Sequence, residues 1–196
     1  MLREIICDKF KEKKIEFHDG LNVVLGDEQG SNSIGKSTFL MIIDYVYGGK
    51  DYVMKSIDIQ RNVGAHIIKF SFMFKGNKYY FSRNTNDTEY VNICNDKYEV
   101  TETITLEQYT NKLKSLYEFG DKDISFRDVV GRYIRVYGKD NLNEKHPLDA
   151  VGNEKPTQAM NALLKLYDLY AAISELEDLA KRKGDELNAL KNAQKY

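Results

Sequence analysis

Residues 20–49 have the sequence GLNVVLGDEQGSNSIGKSTFLMIIDYVYGG, which carries the strongest pattern in the chain. The apolar run 21–25, closed by Gly26, predicts a buried strand. Residues 30–37, GSNSIGKS, match the pattern G-x-x-x-x-G-K-[ST] of a phosphate-binding loop. Residues 38–47 are apolar enough for a buried helix that ends at Gly48 and Gly49. Strand, glycine loop and helix in this order form the context that the motif requires.

The residue types of the loop suit a triphosphate. Backbone N–H groups approach phosphate oxygens closely only where side chains are small, which Gly30 and Gly35 provide. The following helix points its free N–H groups and the positive end of its dipole at the same anion. Lys36 supplies a charge for the β- and γ-phosphates, and the hydroxyl of Ser37 is placed to bind Mg²⁺. The predicted nucleotide-binding residues are Gly30, Ser31, Asn32, Ser33, Ile34, Gly35, Lys36, Ser37 and Thr38, with Ser37 also the metal ligand.

Composition limits the class of protein. The chain has 196 residues, of which 42% are hydrophobic, and this is enough for a folded core. With 29 basic and 30 acidic residues the net charge is −1, so a contact with DNA would need a local patch or a partner. Cys7 and Cys94 lack metal-ligand spacing and are expected to be free, buried thiols. The charged N-terminus and the lack of a long apolar run predict a cytoplasmic chain without a membrane segment.

Periodicity predicts the remaining elements. Strands are expected at 1–7, 15–17, 66–74, 78–83, 89–94 and 97–100, the last four as two hairpins, and helices at 105–118 and 126–137. Residues 49–62 are expected to be irregular. Arg83, Lys75 and Lys78 favour solvated strand edges, with contact to phosphate or DNA as the alternative. Arg127, Arg132 and Arg135 form either a basic patch or an ordinary solvent-exposed helix face.

The C-terminal part has a different character. Residues 138–156 form a polar loop with both prolines, which predicts a boundary between a lobe at 1–150 and an arm at 157–196. The arm is expected to be one long helix. Its heptad seam consists of Leu169, Ile173, Leu176, Ala180, Lys183, Leu187, Leu190 and Gln194. Polar residues within this seam predict an interrupted coiled coil.

These motifs resemble the N-terminal half of the ABC-type ATPase heads of structural-maintenance-of-chromosomes (SMC) and RecN-like proteins. The similar features are Ile5 and Ile6 in a first strand, Phe10, the strand 15–17, the turn Gly20-Leu21-Asn22 and the loop residue Asn32. Ser33 replaces the family's second loop glycine, and three additional residues follow Gly26. The resemblance implies an α/β P-loop NTPase lobe with an added antiparallel β-subdomain and a C-terminal coiled-coil helix. It further implies ATP and Mg²⁺ as cofactors.

The sequence lacks the second half of such a head. No Walker B strand ending in Asp-Glu, signature motif, D-loop or switch histidine is found, and the run 41–44, MIID, lies within the predicted phosphate-loop helix. The resemblance therefore implies a C-terminal lobe, in the same protein or in another chain, as a partner. It also implies a homodimer through the heads or coiled coils, and action on DNA in repair, chromosome maintenance or phage defence. The chain alone is expected to bind ATP without turnover, and no residue of it is predicted to be catalytic.

Two alternatives remain open at this stage. A P-loop kinase for a small molecule or nucleotide would need a lid with arginines, for which Arg127, Arg132 and Arg135 are the candidates. A non-catalytic coiled-coil interaction module would use the glycine loop only structurally. The preference for ATP over GTP rests on the resemblance alone.

Overall fold

The computed structural model describes residues 1–24, 34–136, 138–141 and 143–194, and it shows a mixed α/β fold. Six strands form one antiparallel sheet in the order β2-β1-β3-β4-β5-β6. The strands are β1 (Leu2–Ile6), β2 (Lys14–Glu16), β3 (Ile67–Phe74), β4 (Asn77–Asn84), β5 (Asp87–Cys94) and β6 (Val100–Thr105). The helices are α1 (Ile34–Val46), α2 (Asp51–Met54), α3 (Ile57–Asn62), α4 (Leu106–Leu116), α5 (Phe126–Tyr133), α6 (Pro156–Leu166) and α7 (Ala171–Ala193).

The core lies between one face of the sheet and helices α1, α4 and α5. Alternate residues of β3, including Phe70 and Phe72, are fully buried there, as the period of two along a strand requires. Tyr45 of α1 and Tyr109 of α4 pack into the same cluster. The hydroxyl of Tyr109 donates to the carbonyl of Val46 at 2.7 Å. This bond ties the end of α1 to α4.

Local signals in the sequence predicted several elements correctly. Helix α1 ends just before Gly48, and the hairpin β3–β4 turns at Lys75 and Gly76, whose φ angles of +48° and +81° suit a two-residue turn. Helix α4 begins with a capping box between Thr105 and Gln108. Cys7 and Cys94 are free and buried, as predicted.

The predicted buried strand at 21–25 is wrong for its described part. Residues 21–24 form no strand, and Leu21, Val23 and Val24 are 81%, 63% and 53% exposed. A strand forms only beside a partner that accepts its hydrogen bonds. In the described sheet β1 already pairs with β2 and β3, and no described strand runs beside 21–24. Leu25 and Gly26 lie outside the described residues.

Two further segments differ from prediction. Residues 49–62, expected to be irregular, contain the short helices α2 and α3, because α2 packs against α1 and α3 packs against α2. The second strand of the β5–β6 hairpin begins at Val100 instead of residue 97. The side chain of Asn95 accepts the N–H groups of Lys97 and Glu99, which fixes residues 95–99 as the hairpin loop.

Helix α5 is shorter than predicted. It ends at Tyr133 instead of residue 137. The side-chain amide of Asn141 donates to the carbonyl of Ile134, at 3.1 Å, just beyond the helix. This contact with the following loop competes with continuation of the helix.

The arm at 157–196 is not one helix. It is divided into α6 and α7 by a break at residues 167–170, where Asp168 has a φ of +59°. An ion pair between Lys122 and Asp168 holds this break against the lobe. Leu169, the first residue of the predicted seam, lies within the break. No described helix is long and apolar enough to cross a membrane.

Candidate functional site

The first turn of α1 carries the part of the predicted phosphate site that the structure describes. Gly35 and Lys36 are exposed there, and Ser37 and Thr38 are half-buried. The first turn contains no acidic residue, so nothing on the helix itself opposes an anion at its positive end. Lys36 forms no ion pair with a carboxylate among the described residues. Gly30, Ser31, Asn32, Ser33 and the side chain of Ile34 lie outside the described residues.

A cavity of about 470 Å³ opens beside this turn. Gly35 and Thr38 of α1 line it together with the aromatic rings of Phe10, Phe39 and Tyr52. Its remaining wall includes the charged side chains of Lys9, Lys11 and Glu12 and the aliphatic side chains of Ile15, Ile42, Ile59 and Val63. The cavity is therefore largely apolar, with two cations and one carboxylate at the loop between β1 and β2.

Packing of the β2 region onto α1 brings this wall together. The ring of Phe17 stacks on Phe39 at a centroid distance of 6.1 Å, with the planes 5° apart. Among the lining residues, Gly35 and Thr38 belong to the predicted nucleotide-binding set, and Phe10 and Ile15 belong to the segments of the family resemblance. The other lining residues had no signal in the sequence that marked them for a site.

The opposite end of α1 is bound by Arg83, which corrects both predictions made for it. Arg83 is fully buried on the core face of β4 and contacts neither solvent nor an open groove. Its guanidinium donates to the carbonyls of Tyr45, of Gly49 at 3.0 Å and of Thr88 at 2.9 Å. It also lies 3.8 Å from the centroid of the Tyr45 ring. Burial lowers the pKa of Arg83, but its carbonyl partners and the negative end of the α1 dipole favour the cation. Arg83 is thus a cap for α1.

Asp44 shows why the MIID run is not a Walker B strand. The carboxylate is buried at the end of α1 and pairs with Arg127 at 2.6 Å and with Lys139 at 3.2 Å. Its Oδ2 atom has no hydrogen-bond partner among the described residues and faces Gly49, where an added Cβ would lie 1.9 Å from it. Asp44 therefore links α1 to α5 and to the loop at 138–141. It is remote from the first turn of α1, at the opposite end of the helix.

The three arginines predicted along this helix form neither a basic patch nor a solvent-exposed helix face, and Arg135 lies beyond the end of α5 at Tyr133. Arg127 donates to the carbonyl of Tyr47 at 2.9 Å as well as pairing with Asp44. Arg132 is buried and forms ion pairs with Glu154 and Asp128. Burial alone would raise the pKa of Glu154, but the hydrogen bonds from Arg132 and from the N–H of Ala150 lower it. These side chains hold α5 to its neighbours. Arg135 donates to the carbonyl of Arg132.

The described residues can supply only part of a magnesium site. The hydroxyl of Ser37, in the first turn of α1, is a suitable oxygen ligand. No group of three His, Cys, Asp or Glu side chains in the described part of the chain could hold a metal ion. Mg²⁺ binds readily through one protein oxygen, phosphate oxygens and water, so Ser37 fits a metal that arrives with the nucleotide.

Comparison with known families decides the broad class. The model of a family described as AAA domain matches residues 7–196, which include every described helix and strand except β1. The chain belongs to the AAA domain family. Members of this family are P-loop ATPases, and the match supports nucleotide binding by this AAA domain. No curated protein and no solved structure matches the chain.

Proposed function

We propose that this AAA domain is the N-terminal, ATP-binding lobe of an ATPase of the SMC/RecN type. The observation that carries the proposal is the first turn of α1. The N-terminal N–H groups of α1 and Lys36, which forms no ion pair among the described residues, lie beside a cavity that is largely apolar and large enough for a nucleoside. Lys36 would contact the β- and γ-phosphates, and Ser37 would bind the accompanying Mg²⁺.

The cavity suits the base and ribose of the nucleotide. Its 470 Å³ lie within the range of small-molecule pockets, and Phe10, Phe39 and Tyr52 offer aromatic surface to a base. Lys9 and Lys11 add positive charge on the same wall. A nucleotide whose phosphates lie at the α1 terminus would therefore place its nucleoside between the β1–β2 loop and α3.

A second lobe would cover surfaces that the described chain leaves open. Leu21, Val23 and Val24 are more than half exposed and pair with no described strand, and Leu40 of α1 is 41% exposed. Large apolar side chains exposed in this way are the kind that mark an interaction surface. We assign this surface to the C-terminal lobe, which would supply a strand beside 21–24 and the Walker B carboxylates. Binding without turnover by the present chain follows from this division.

Helix α7 is the proposed start of a coiled-coil arm. None of its described residues is buried, and Leu176, Leu179, Leu187 and Leu190 are all more than half exposed. Most of the stability of a helix in a protein comes from packing of its apolar face, and this helix of 23 residues has no buried residue, so a partner helix is expected. The partner would be a returning segment or a second copy of the chain. Contact with DNA would belong to the complete assembly.

The arm proposal is tested by sedimentation of the chain over a range of concentrations. Self-association through α7 predicts dimers that dissociate when Leu176 and Leu187 are both replaced by Lys. Asn188→Lys together with Asn192→Lys is the control, because it adds the same two positive charges at exposed positions outside the seam. A monomer at every concentration would exclude self-association and leave the returning segment as the partner.

The nucleotide proposal is tested by calorimetric titration with Mg²⁺-ATP, Mg²⁺-GTP and Mg²⁺-tripolyphosphate. We expect one ATP per chain and binding at least tenfold weaker in Lys36→Ala, because a charge-assisted phosphate contact is lost. Lys97→Ala, at the exposed β5–β6 loop, is the matched control and should leave binding unchanged. Phosphate binding that survives Lys36→Ala would favour the interaction module instead. The kinase alternative has lost its support, since Arg127 and Arg132 are held in structural ion pairs.

A further inference from the structure

Tyr52 forms a partition between two cavities. It is a buried residue of the four-residue helix α2 and lines the cavity beside α1. It also lines a second cavity of about 310 Å³, together with His66, Thr85 and Asn86. Its ring packs on Tyr45 of α1 with a centroid distance of 5.7 Å. The position of this ring therefore sets the shape of the cavity beside α1.

His66 holds the hydroxyl of Tyr52 in a defined direction. Its Nδ1 lies 2.8 Å from the carbonyl of Gly64, which only accepts hydrogen bonds, so Nδ1 carries the proton. In the tautomer with Nδ1 protonated, the Nε2 atom accepts from the hydroxyl of Tyr52 at 2.9 Å. Burial raises the pKa of Tyr52, which keeps the hydroxyl protonated as the donor.

The histidine itself is fixed to the sheet. Its backbone N–H donates to Oγ1 of Thr85 at 2.9 Å, and the same hydroxyl donates back to the carbonyl of His66 at 3.1 Å. The imidazole packs edge-on against the ring of Tyr52 at 5.8 Å. In contrast, α2 is a single turn, and its N-cap residue Lys50 makes no side-chain cap bond. A short helix of this kind depends on tertiary contacts for its position.

We propose that His66 is a positioning residue, which orients Tyr52 as a wall of the nucleoside cavity and thereby selects for nucleotide over bare polyphosphate. This inference rests on the proposed nucleotide site, and it adds a residue that does not itself touch the ligand. His66, which is itself held to the sheet by Thr85, fixes the Tyr52 hydroxyl through one hydrogen bond. The ring then presents its other side to the base.

The test compares two ligands in matched variants. ATP and tripolyphosphate are titrated with Mg²⁺ into wild type, Tyr52→Phe, His66→Leu and His66→Gln. Loss of the hydroxyl–imidazole hydrogen bond should lower the affinity for ATP about fivefold in Tyr52→Phe and in His66→Leu. Tripolyphosphate binding should be unchanged, because it needs only the α1 terminus. His66→Gln retains an acceptor near the position of Nε2, and ATP affinity should return to within about twofold of wild type.

Tyr52 and His66 share one hydrogen bond, so a double variant provides a further test. The double variant Tyr52→Phe/His66→Leu should bind ATP no more weakly than either single variant, because both remove the same bond. Thermal melting of each variant shows whether it is folded. Where His66→Leu is not folded, Tyr52→Phe and His66→Gln carry the comparison.

Several results would overturn the inference. Equal weakening of ATP and tripolyphosphate would indicate a general structural defect. ATP affinity unchanged in Tyr52→Phe would show that the hydroxyl does not matter. A wild-type chain that binds both ligands equally, in a manner that depends on Lys36, would keep the phosphate site and remove the nucleoside cavity. Binding of neither ligand would end the proposed function as well as this inference.

Discussion

The replacement of Arg83 by Met tests the packing beneath α1 most sharply. The guanidinium binds three carbonyls and stacks on Tyr45, and all of this is lost in Arg83→Met. A carbonyl left unpaired on burial costs about 1–3 kcal/mol, and removal of the buried cation returns part of this through lower desolvation. We therefore expect the free energy of unfolding to fall by about 3–5 kcal/mol, against a total of about 5–15 kcal/mol for a domain.

Urea unfolding measures this loss directly. The chain has 14 tyrosines and no tryptophan, so tyrosine fluorescence and far-ultraviolet circular dichroism are suitable probes. Arg61→Met, at an exposed position in the last turn of α3, is the matched control and should change stability by less than about 0.5 kcal/mol. A loss below about 1 kcal/mol in Arg83→Met would refute the capping role. Such a small loss would also show that the contacts assigned to Arg83 need to be determined again.

Two further perturbations follow from the packing and charges. Gly49→Ala should destabilise the chain by about 1–3 kcal/mol in urea unfolding, since its Cβ would lie 1.9 Å from Oδ2 of Asp44. At Gly184 a Cβ would meet nothing within 4 Å, so Gly184→Ala should increase the helical signal in circular dichroism. Equal effects of Gly49→Ala and Gly184→Ala on stability would contradict the close contact between Gly49 and Asp44. Glu4 has a lowered pKa, because the hydrogen bond from Lys14 and two others outweigh its burial. Its ionised form thus stabilises the fold above about pH 4.3, and this stability is lost as the pH falls through the lowered folded-state pKa. In Glu4→Gln the free energy of unfolding should therefore fall less steeply as the pH is lowered below about 4.3. An unchanged pH dependence would disprove the role of Glu4.

Elements that depend on local sequence could be predicted, and those that depend on distant partners could not. The periodicity of α1 and the turn at Lys75 and Gly76 are set by neighbouring residues, and both were predicted correctly. The apolar run 21–24 has the composition of a strand, but pairing needs another strand, which the described chain does not offer. The break before α7 likewise depends on Lys122, far away in sequence.

The sequence predicted the phosphate-loop motif of the candidate site but not the cavity beside it. The loop pattern identified Gly35, Lys36 and Ser37, which the structure places at the first turn of α1. The cavity beside them is assembled from four separate segments, and its walls therefore have no common sequence signal. Arg83 was misjudged because its charge suggested solvent. Its spacing of two from the buried Phe81 was the signal for the core face.

Phosphate release from saturating Mg²⁺-ATP, followed in the same sample as binding, tests the central claim most directly. The account predicts one ATP bound per chain, Lys36-dependent, with no steady release of phosphate above the protein-free rate. Steady turnover by the chain alone that disappears in Lys36→Ala would contradict it, because the carboxylates that position water would then have to lie within these 196 residues.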